Sequence, residues 1–389
     1  MHAPGAVRDA IIEHLTMLGT DASMDDIHAA VIRKIGEVPR SSVRSYLNLN
    51  TPKTFERTGR GRYRLRGAKG SPASGGGSGA KAKKKAEDPE PAPVFVDNLT
   101  RLYHADCFAW LARQPERSIH AVVTDPPYGL REYTPEEQAK LHAGRGGVWR
   151  IPPSFDGHKR APLPRFTVLD HEDRLELHAF FKRLAVLLRR ATVPGANVVV
   201  ASNPLLAHIV AGAMAEGGLE LRGYIARLVM TMRGGDRPKN AHQEFGGVSV
   251  MPRSQWEPWV VLRNPLEGRV QDNLRKWGTG GFRRPSADRP FGDVIRSSPT
   301  PTAERKIAPH PSLKPQAVLR QIVRASLPLG EGLVLDPFAG SGSTLAAACS
   351  VGYPSVGCEM DERYVHLAAK AIPRLAGIAV QDPAGLSLF

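Results

Sequence analysis

Two stretches of this chain share one plan: an apolar, β-branched run stops abruptly at an acid followed by proline. The first is AVVTDPPYGL, Ala121 to Leu130, and the second is GLVLDPFAGSGST, Gly332 to Thr344. Each reads as a buried strand that ends in a constrained loop. Open α/β sheets are built from such strands and bind their ligands at the carboxyl ends. In the first loop, Pro126 and Pro127 fix φ and lack N–H donors, so their carbonyls can point outward without pairing in a ladder. The Asp125 carboxylate and the Pro126 carbonyl then suit the two hydrogens of an exocyclic amine on a planar base, with Tyr128 stacking on the base face. In the second loop, Asp336, Pro337, Phe338 and Ala339 lead through Gly340, Ser341 and Gly342 into Ser343, Thr344 and the helical-looking LAAAC. The two glycines would let backbone N–H groups approach a bound molecule, and the helix start behind them favours an anionic group. No Lys follows the last glycine at triphosphate-loop spacing, which excludes that class.

The DPPY stretch resembles the catalytic motif of the amino-group DNA methyltransferases, which is DPPY or a close variant. The glycine-rich stretch is similar to that family's loop for the methionine part of S-adenosyl-L-methionine. In this chain the amine-binding motif precedes the cofactor loop, which in the family marks the β group. The resemblance covers about residues 94 to 376. It implies a Rossmann-like methyltransferase fold of the α/β class with permuted strand order, in which the two C-terminal strands lie beside the N-terminal ones.

The chain has 389 residues, room for two or three domains. Lys and Arg total 53 against 38 Asp and Glu, a net charge of +15 that suits a polyanion such as nucleic acid. The cysteines, Cys107, Cys349 and Cys358, lack metal-ligand spacing and read as reduced core residues. None follows a proline, so the Pro-Cys nucleophile of ring-carbon cytosine methylation is absent. MHAPGAVRDA lacks a secretory signal's apolar core, and no stretch is long enough to span a bilayer.

Residues 1–67 read as a separate module of three helices and a hairpin. Ser23 is placed to cap the second helix, with Asp25 and Asp26 in its first turn. The segment resembles the winged-helix domains fused to DNA-modifying and chromatin proteins. Arg40, Ser41, Ser42, Arg44 and Ser45 on the third helix, and Arg57, Arg60, Arg62 and Arg64 on the wing, would contact a base edge and phosphates. The same basic faces also suit a protein-docking module. Residues 68–93, rich in Gly, Ser, Ala, Lys and Pro, form a flexible tether with a basic run at Lys81–Lys85.

Residues 94–389 form the catalytic domain. LYHADCFAWLARQ reads as a strand ending at Asp106 and then a helix. An acid there lies near the cofactor's adenine in the family, although an N-cap would account for it equally. Residues 130–170 lack periodicity and carry Arg131, Arg145, Arg150 and Arg160, candidate clamps on DNA. DRLELHAFFKRLAVLLRR is an amphipathic helix, and NVVVASNP, GYIARLVMTM and WEPWVVLR are strands. The target-recognition region of the family corresponds to about 263–308, a stretch without clear elements. Arg269, Arg275, Lys276, Arg283, Arg284 and Arg289 in it are available for phosphates or guanine edges. HPSLKPQAVLRQIVRASL resembles the family segment enclosing the cofactor's methionine end, with His310, Ser312 and Lys314 as contacts. PSVGCEMDERYVHLAAKAI ends a strand at Glu359, an acid suited to two ribose hydroxyls.

The resemblance implies methyl transfer from S-adenosyl-L-methionine to the exocyclic amine of a base flipped out of double-stranded DNA, without a metal or a covalent enzyme intermediate. DPPY rather than SPPY favours adenine N6. Cytosine N4 is the alternative, and a catalytically idle DNA-binding regulator the alternative of another class. The resemblance places the protein in a prokaryotic or phage cytoplasm at the nucleoid. A homodimer and a cognate restriction endonuclease are partners open to it.

Overall fold

The computed structural model describes residues 6–18, 21–49, 54–59, 62–65, 92–127, 154–155, 158–159, 169–229, 235, 237–238, 240–310 and 312–380. Tyr128, Arg60, Arg131, Arg145, Arg150, Arg160 and the tether's Lys81–Lys85 run lie outside these. The chain divides into two compact units, Met1–Glu87 and Asp88–Phe389.

In the first unit, helices Ala6–Leu18, Met24–Ile35 and Arg40–Leu49 accompany strands β1 (Ala22–Ser23), β2 (Phe55–Gly59) and β3 (Arg62–Leu65). Ile11, Leu15, Ile27, Val31, Val43, Leu47 and Phe55 are fully buried together, so the helical spacing of apolar residues converts into one core. Ser23 caps the second helix reciprocally: its Oγ accepts from Asp26 N at 3.2 Å while the Asp26 carboxylate accepts from Ser23 N at 3.4 Å. The two-residue β1 was not legible in the sequence. It pairs with β3 through Ala22↔Tyr63 and makes the sheet order β1-β3-β2.

The second unit contains β4 (Phe95–Val96), β5 (Thr100–His104), β6 (Ile119–Thr124), a two-residue ladder of β7 (Ser154–Phe155) and β8 (His158–Lys159), β9 (Thr192–Ala201), β10 (Glu220–Leu228), β11 (Trp256–Arg263), β12 (Val294–Arg296), β13 (Val334–Asp336) and β14 (Ser355–Glu359). Nine of them form one sheet in the order β12-β10-β11-β9-β6-β13-β14-β5-β4. The last two strands in sequence therefore insert between β6 and β5, which is the permuted order the motifs imply. β5, β14, β13, β6 and β9 run parallel, while β11 is antiparallel to β9 and β10 to β11.

Both faces of this sheet are covered, which explains why its central strands read as continuous apolar runs. Along β9, Val198 and Val200 pack with Leu177, Phe181, Leu184 and Leu188 of the helix His171–Ala191. Val199 and Ala201 face the other way, onto Val318, Leu319, Ile322 and Val323 of the helix Gln316–Ser326. No helix among the described residues is long and apolar enough to cross a membrane. Cys107 and Cys358 are buried free thiols, and burial pushes the Cys107 thiol up to about 12.

Strand direction assigns each connection to an edge. β11 runs toward the amino end of β9, its last residue Arg263 opposite Asn197. The segment after it consequently lies at the amino edge of the parallel strands. Asn264 Nδ2 donates to Thr192 O at 2.9 Å, and Asn273 Nδ2 donates to Pro194 O at 2.9 Å and Thr279 O at 2.8 Å. Asn197 Nδ2 in turn donates to Gly281 O at 2.7 Å. The stretch expected to lack elements holds the helix Val270–Trp277, stopped by Gly278 in the left-handed region at φ 70°, then β12 and the helix Thr302–Ile307. The β10–β11 connection, by contrast, leaves from Leu228 and returns at Trp256, which pair at the carboxyl edge.

Candidate active site

β6 and β13 are parallel neighbours, with Ala121 opposite Val334 and Val122 opposite Leu335. Their carboxyl ends therefore deliver Asp125 and Asp336 side by side. A hydrogen bond ties them: Thr124 Oγ1 donates to Asp336 Oδ1 at 2.6 Å, with both residues buried. The acid-proline loop and the glycine loop thus meet at one edge of one sheet. Pro126 is buried and Pro127 exposed.

Asp336 faces inward. Burial pushes its carboxyl up to about 6, against the charge-favouring hydrogen bonds of Thr124, Thr344 and the Phe338 N–H. With 2% of its surface exposed, it braces the two loops instead of offering an oxygen to a ligand. Pro337 and Ala339 are also buried, and Ala339 packs with Leu102, Leu345 and Ile372. Phe338 is partly buried, its ring centroid 5.8 Å from that of Phe180. Ser341 and Thr344 are buried, and Ser343 O accepts from Gln316 Nε2 at 2.9 Å.

The two glycines of the loop do different work. Gly340, at φ +51°, has open space where a Cβ would stand until the His310 ring at 3.5 Å. Gly342, at φ +80°, would place a Cβ 2.5 Å from Ile372 Cγ1. Its smallness serves the close approach of the helices Ser343–Ser350 and Glu362–Ala376, where the sequence suggested approach to a ligand.

Glu359 closes β14 and turns back onto the loop. Its Oε2 accepts from Gly340 N at 2.8 Å, and its Oε1 accepts from Met360 N and Asp361 N, each at 2.8 Å. A carboxylate offers about four acceptor positions, so one remains where two ribose hydroxyls were expected. Asp106, beyond the end of the adjacent β5, caps the helix Cys107–Arg113 by accepting from Ala109 N at 2.8 Å. His310 stands edge-on to Tyr364, centroids 4.4 Å apart, with Ser312 Oγ 3.2 Å from its Nδ1. Burial, aided by the Lys314 charge, pulls its imidazole down to about 4, so the ring is neutral at pH 7.

Lys314, expected at the cofactor's methionine end, is also paired with carboxylates. Its Nζ is 2.8 Å from Asp125 Oδ2 and 3.5 Å from Glu257 Oε2, in a cluster where all three side chains are at most 14% exposed. Glu257 Oε2 also meets Arg227 Nη1 at 3.2 Å, and its Oε1 accepts from Trp259 Nε1 at 3.0 Å. Arg227 donates onward to Ser297 Oγ at 3.0 Å and Ser298 O at 3.2 Å. Sequence reasoning missed Glu257 and Arg227. Their signal was a charged residue inside each of two otherwise apolar strands, WEPWVVLR and GYIARLVM.

The basic residues assigned to DNA divide as well. Arg283 is structural: its Nη1 donates to Tyr353 OH at 2.7 Å, and its guanidinium fills the space beside Gly330. Arg284 Nη1 donates to Ala287 O at 3.1 Å, and Arg275 pairs with Asp272 at 3.0 Å. All three belong to the segment at the amino edge, away from Asp125. Lys276 binds Glu267 and lies over Trp277. In the first unit Arg62 donates to Asp21 at 2.6 Å, Arg64 pairs with Glu56 at 2.9 Å, and Arg40 pairs with Asp25. Arg44 is exposed.

A doubly wound sheet that joins an acid-proline loop to a glycine loop, with further acids leaving β14 and β5, defines a methyltransferase. The family model described as a DNA methylase, of the N6/N4 type, matches residues 119–370, and the chain belongs to that family. It is similar to the type II methyltransferase M2.LlaDCHI of Lactococcus lactis subsp. cremoris, 34% identical over 276 residues, which covers 70% of this chain and 88% of that protein. It is also similar to the type II methyltransferase M2.DpnII of Streptococcus pneumoniae, 23% identical over 281 residues, covering 72% and 92%. Among solved structures, the cytosine-N4-specific PvuII DNA methyltransferase is 15% identical, covers 76% of this chain and 92% of its own, and gives a TM-score of 0.48. A putative DNA modification methylase of Thermus thermophilus, TTHA0409, complexed with S-adenosyl-L-methionine, is 20% identical, covers 72% and 95%, and gives 0.43. The chain is an S-adenosylmethionine-dependent DNA methyltransferase acting at adenine N6 or cytosine N4.

Proposed function

We propose that the protein methylates N6 of adenine at a specific site in double-stranded DNA. The observation that carries this reading is the hydrogen-bonded junction of the two loops, which sets Asp125 beside the glycine loop. The acid that opens the motif supports adenine over cytosine. A base inside a duplex hides its amine, so the target is extruded at a cost of a few kcal/mol, partly offset by stacking on Tyr128. Asp125 and the Pro126 carbonyl accept the two amine hydrogens. That holds the nitrogen more pyramidal and aims its lone pair outward from the ring plane.

The residues present suit S-adenosylmethionine: the remaining acceptor of Glu359 fits a ribose hydroxyl, Asp106 fits the adenine end, and Gly340 beside neutral His310 fits the amino-acid end. When bound, that cofactor supplies an electrophilic methyl on a sulfonium. The chain's own part is to orient the amine, accept its hydrogens and exclude water.

We also read the first unit as a winged helix that holds DNA through Arg44 and the wing, and the β10–β11 connection as the catalytic unit's DNA-facing loop. Its place at the carboxyl edge and the exposed Phe245, Val248, Val250 and Met251 support this, since apolar side chains serve as wedges between base steps. A cognate restriction endonuclease fits the type II naming of the relatives.

The test is to incubate the full chain with DNA and labelled S-adenosylmethionine, then identify the labelled nucleoside by mass spectrometry. N6-methyladenine is expected. N4-methylcytosine would replace adenine with the alternative base, and no label in either would favour the idle regulator. Asp125→Ala is expected to abolish labelling while leaving S-adenosylmethionine affinity within about 3-fold.

A further inference from the structure

The Lys314 ammonium lies between two largely enclosed carboxylates, Asp125 at 2.8 Å and Glu257 Oε2 at 3.5 Å, and Arg227 meets that same Glu257 oxygen at 3.2 Å. The cluster brings two cations to two carboxylates, so its charge balances while all four side chains are at most 14% exposed. The resemblance places Lys314 on the cofactor's methionine side. We propose instead that Lys314 is a positioning residue for the amine: it holds the Asp125 carboxylate in one rotamer through a charge-assisted bond, with Glu257 and Arg227 fixing the lysine in turn.

This rests on the reading of Asp125 as the amine's acceptor. A carboxylate at the end of β6 has its backbone set by the strand, but its side-chain rotamer is not. A charge-assisted bond to one oxygen removes that freedom and directs the other oxygen. Lys314 is suited to the task because Pro315 and the buried start of the helix Gln316–Ser326 follow it directly. Glu257 is held by Trp259 Nε1, and Arg227 by Ser297 and Ser298, so the lysine is anchored from two strands and the loop after β12. Among the described residues, the other titratable groups felt here are Asp336, whose carboxyl feels the Asp125 charge, His310, whose imidazole is lowered by Lys314, and Glu304, whose carboxyl feels the Arg227 charge. Removing the lysine charge leaves the cluster one negative charge in excess, and a carboxylate that loses an opposite charge at hydrogen-bond distance holds a proton more readily. A protonated Asp125 would donate to the amine nitrogen instead of accepting from it.

The test uses the full chain with Lys314→Met, Lys314→Arg and Glu257→Gln. S-Adenosylmethionine affinity is read by calorimetry, and kcat for DNA methylation is read across pH at saturating cofactor. Lys314→Met is expected to lower kcat by about 100-fold and to move the acidic limb of the kcat profile up by about one pH unit, with cofactor affinity within about 3-fold. Lys314→Arg, which keeps the charge, is expected to recover at least about a tenth of wild-type kcat with the limb restored. Glu257→Gln keeps the side-chain volume and is expected to lower kcat less than Lys314→Met does. A Lys314→Met variant that binds cofactor about 10-fold more weakly at unchanged kcat would overturn the proposal in favour of a cofactor contact. An unmoved acidic limb would overturn it in favour of a packing role. Should Asp125→Ala retain turnover, the reading of Asp125 itself fails, an outcome read on a different variant.

Discussion

Thr124 has no chemistry to offer a methyl transfer, yet its hydroxyl joins the two loops that do. Thr124→Val keeps the shape and deletes the bond, leaving a buried carboxyl short of a donor. A loss of about 1–3 kcal/mol in urea unfolding is expected, together with weaker cofactor affinity because the loops are no longer tied. Asp336 makes another prediction, in pH. Its folded value, pushed up to about 6 by burial, lies above its ordinary 3.8. Its contribution to stability is therefore fully present below about pH 4 and lost as pH rises through about 6. Asp336→Asn removes that dependence while keeping an acceptor for Thr124. The variant's stability relative to wild type should rise between about pH 4 and about pH 7, by at most about 3 kcal/mol. A difference that stays flat across that range would contradict the burial argument.

At the scale of elements, the glycine loop separates binding from packing. Gly342→Ala would drive a Cβ into Ile372 at a positive φ, so the helices Ser343–Ser350 and Glu362–Ala376 must part. An unfolding penalty of about 2–4 kcal/mol is expected, from strain and overpacking combined. Gly340→Ala meets only His310 at ordinary contact distance, so it should cost about 1 kcal/mol in stability and show itself chiefly in cofactor affinity. Thermal unfolding and calorimetry on the pair distinguish the two roles. The amino-edge segment yields a comparable contrast. Arg283→Ala should lower stability by about 1–2 kcal/mol by removing the Tyr353 bond, and leave the salt dependence of DNA binding unchanged. These helices and strands were legible because apolar periodicity is a local property. What the glycine faces was not, since Ile372 belongs to a later helix and nothing in GSGST records it.

For the whole molecule, two units with separate cores imply separable tasks. A chain starting at Asp88 is expected to fold and keep kcat, while its DNA affinity falls by about 10-fold and the slope of log affinity against log salt shrinks by about 0.9 for each phosphate the first unit would have neutralised. An unchanged slope would assign the first unit to a protein partner. The sequence by itself determined the two strand-to-loop motifs, the cap at Ser23 and the loop chemistry, which follow from residue type and spacing within a few turns of chain, while the permuted sheet was implied by the family resemblance that the motif order carries. Only the tertiary structure decided which edge each connection occupies. Antiparallel pairing of β11 with β9 sends Arg275, Arg283 and Arg284 to the edge away from Asp125, and the β10–β11 connection to the edge beside it. It also decided that Lys314, Glu257 and Arg227 meet around Asp125, because a buried charge requires a partner and the sheet alone determines which distant residue is near enough to serve.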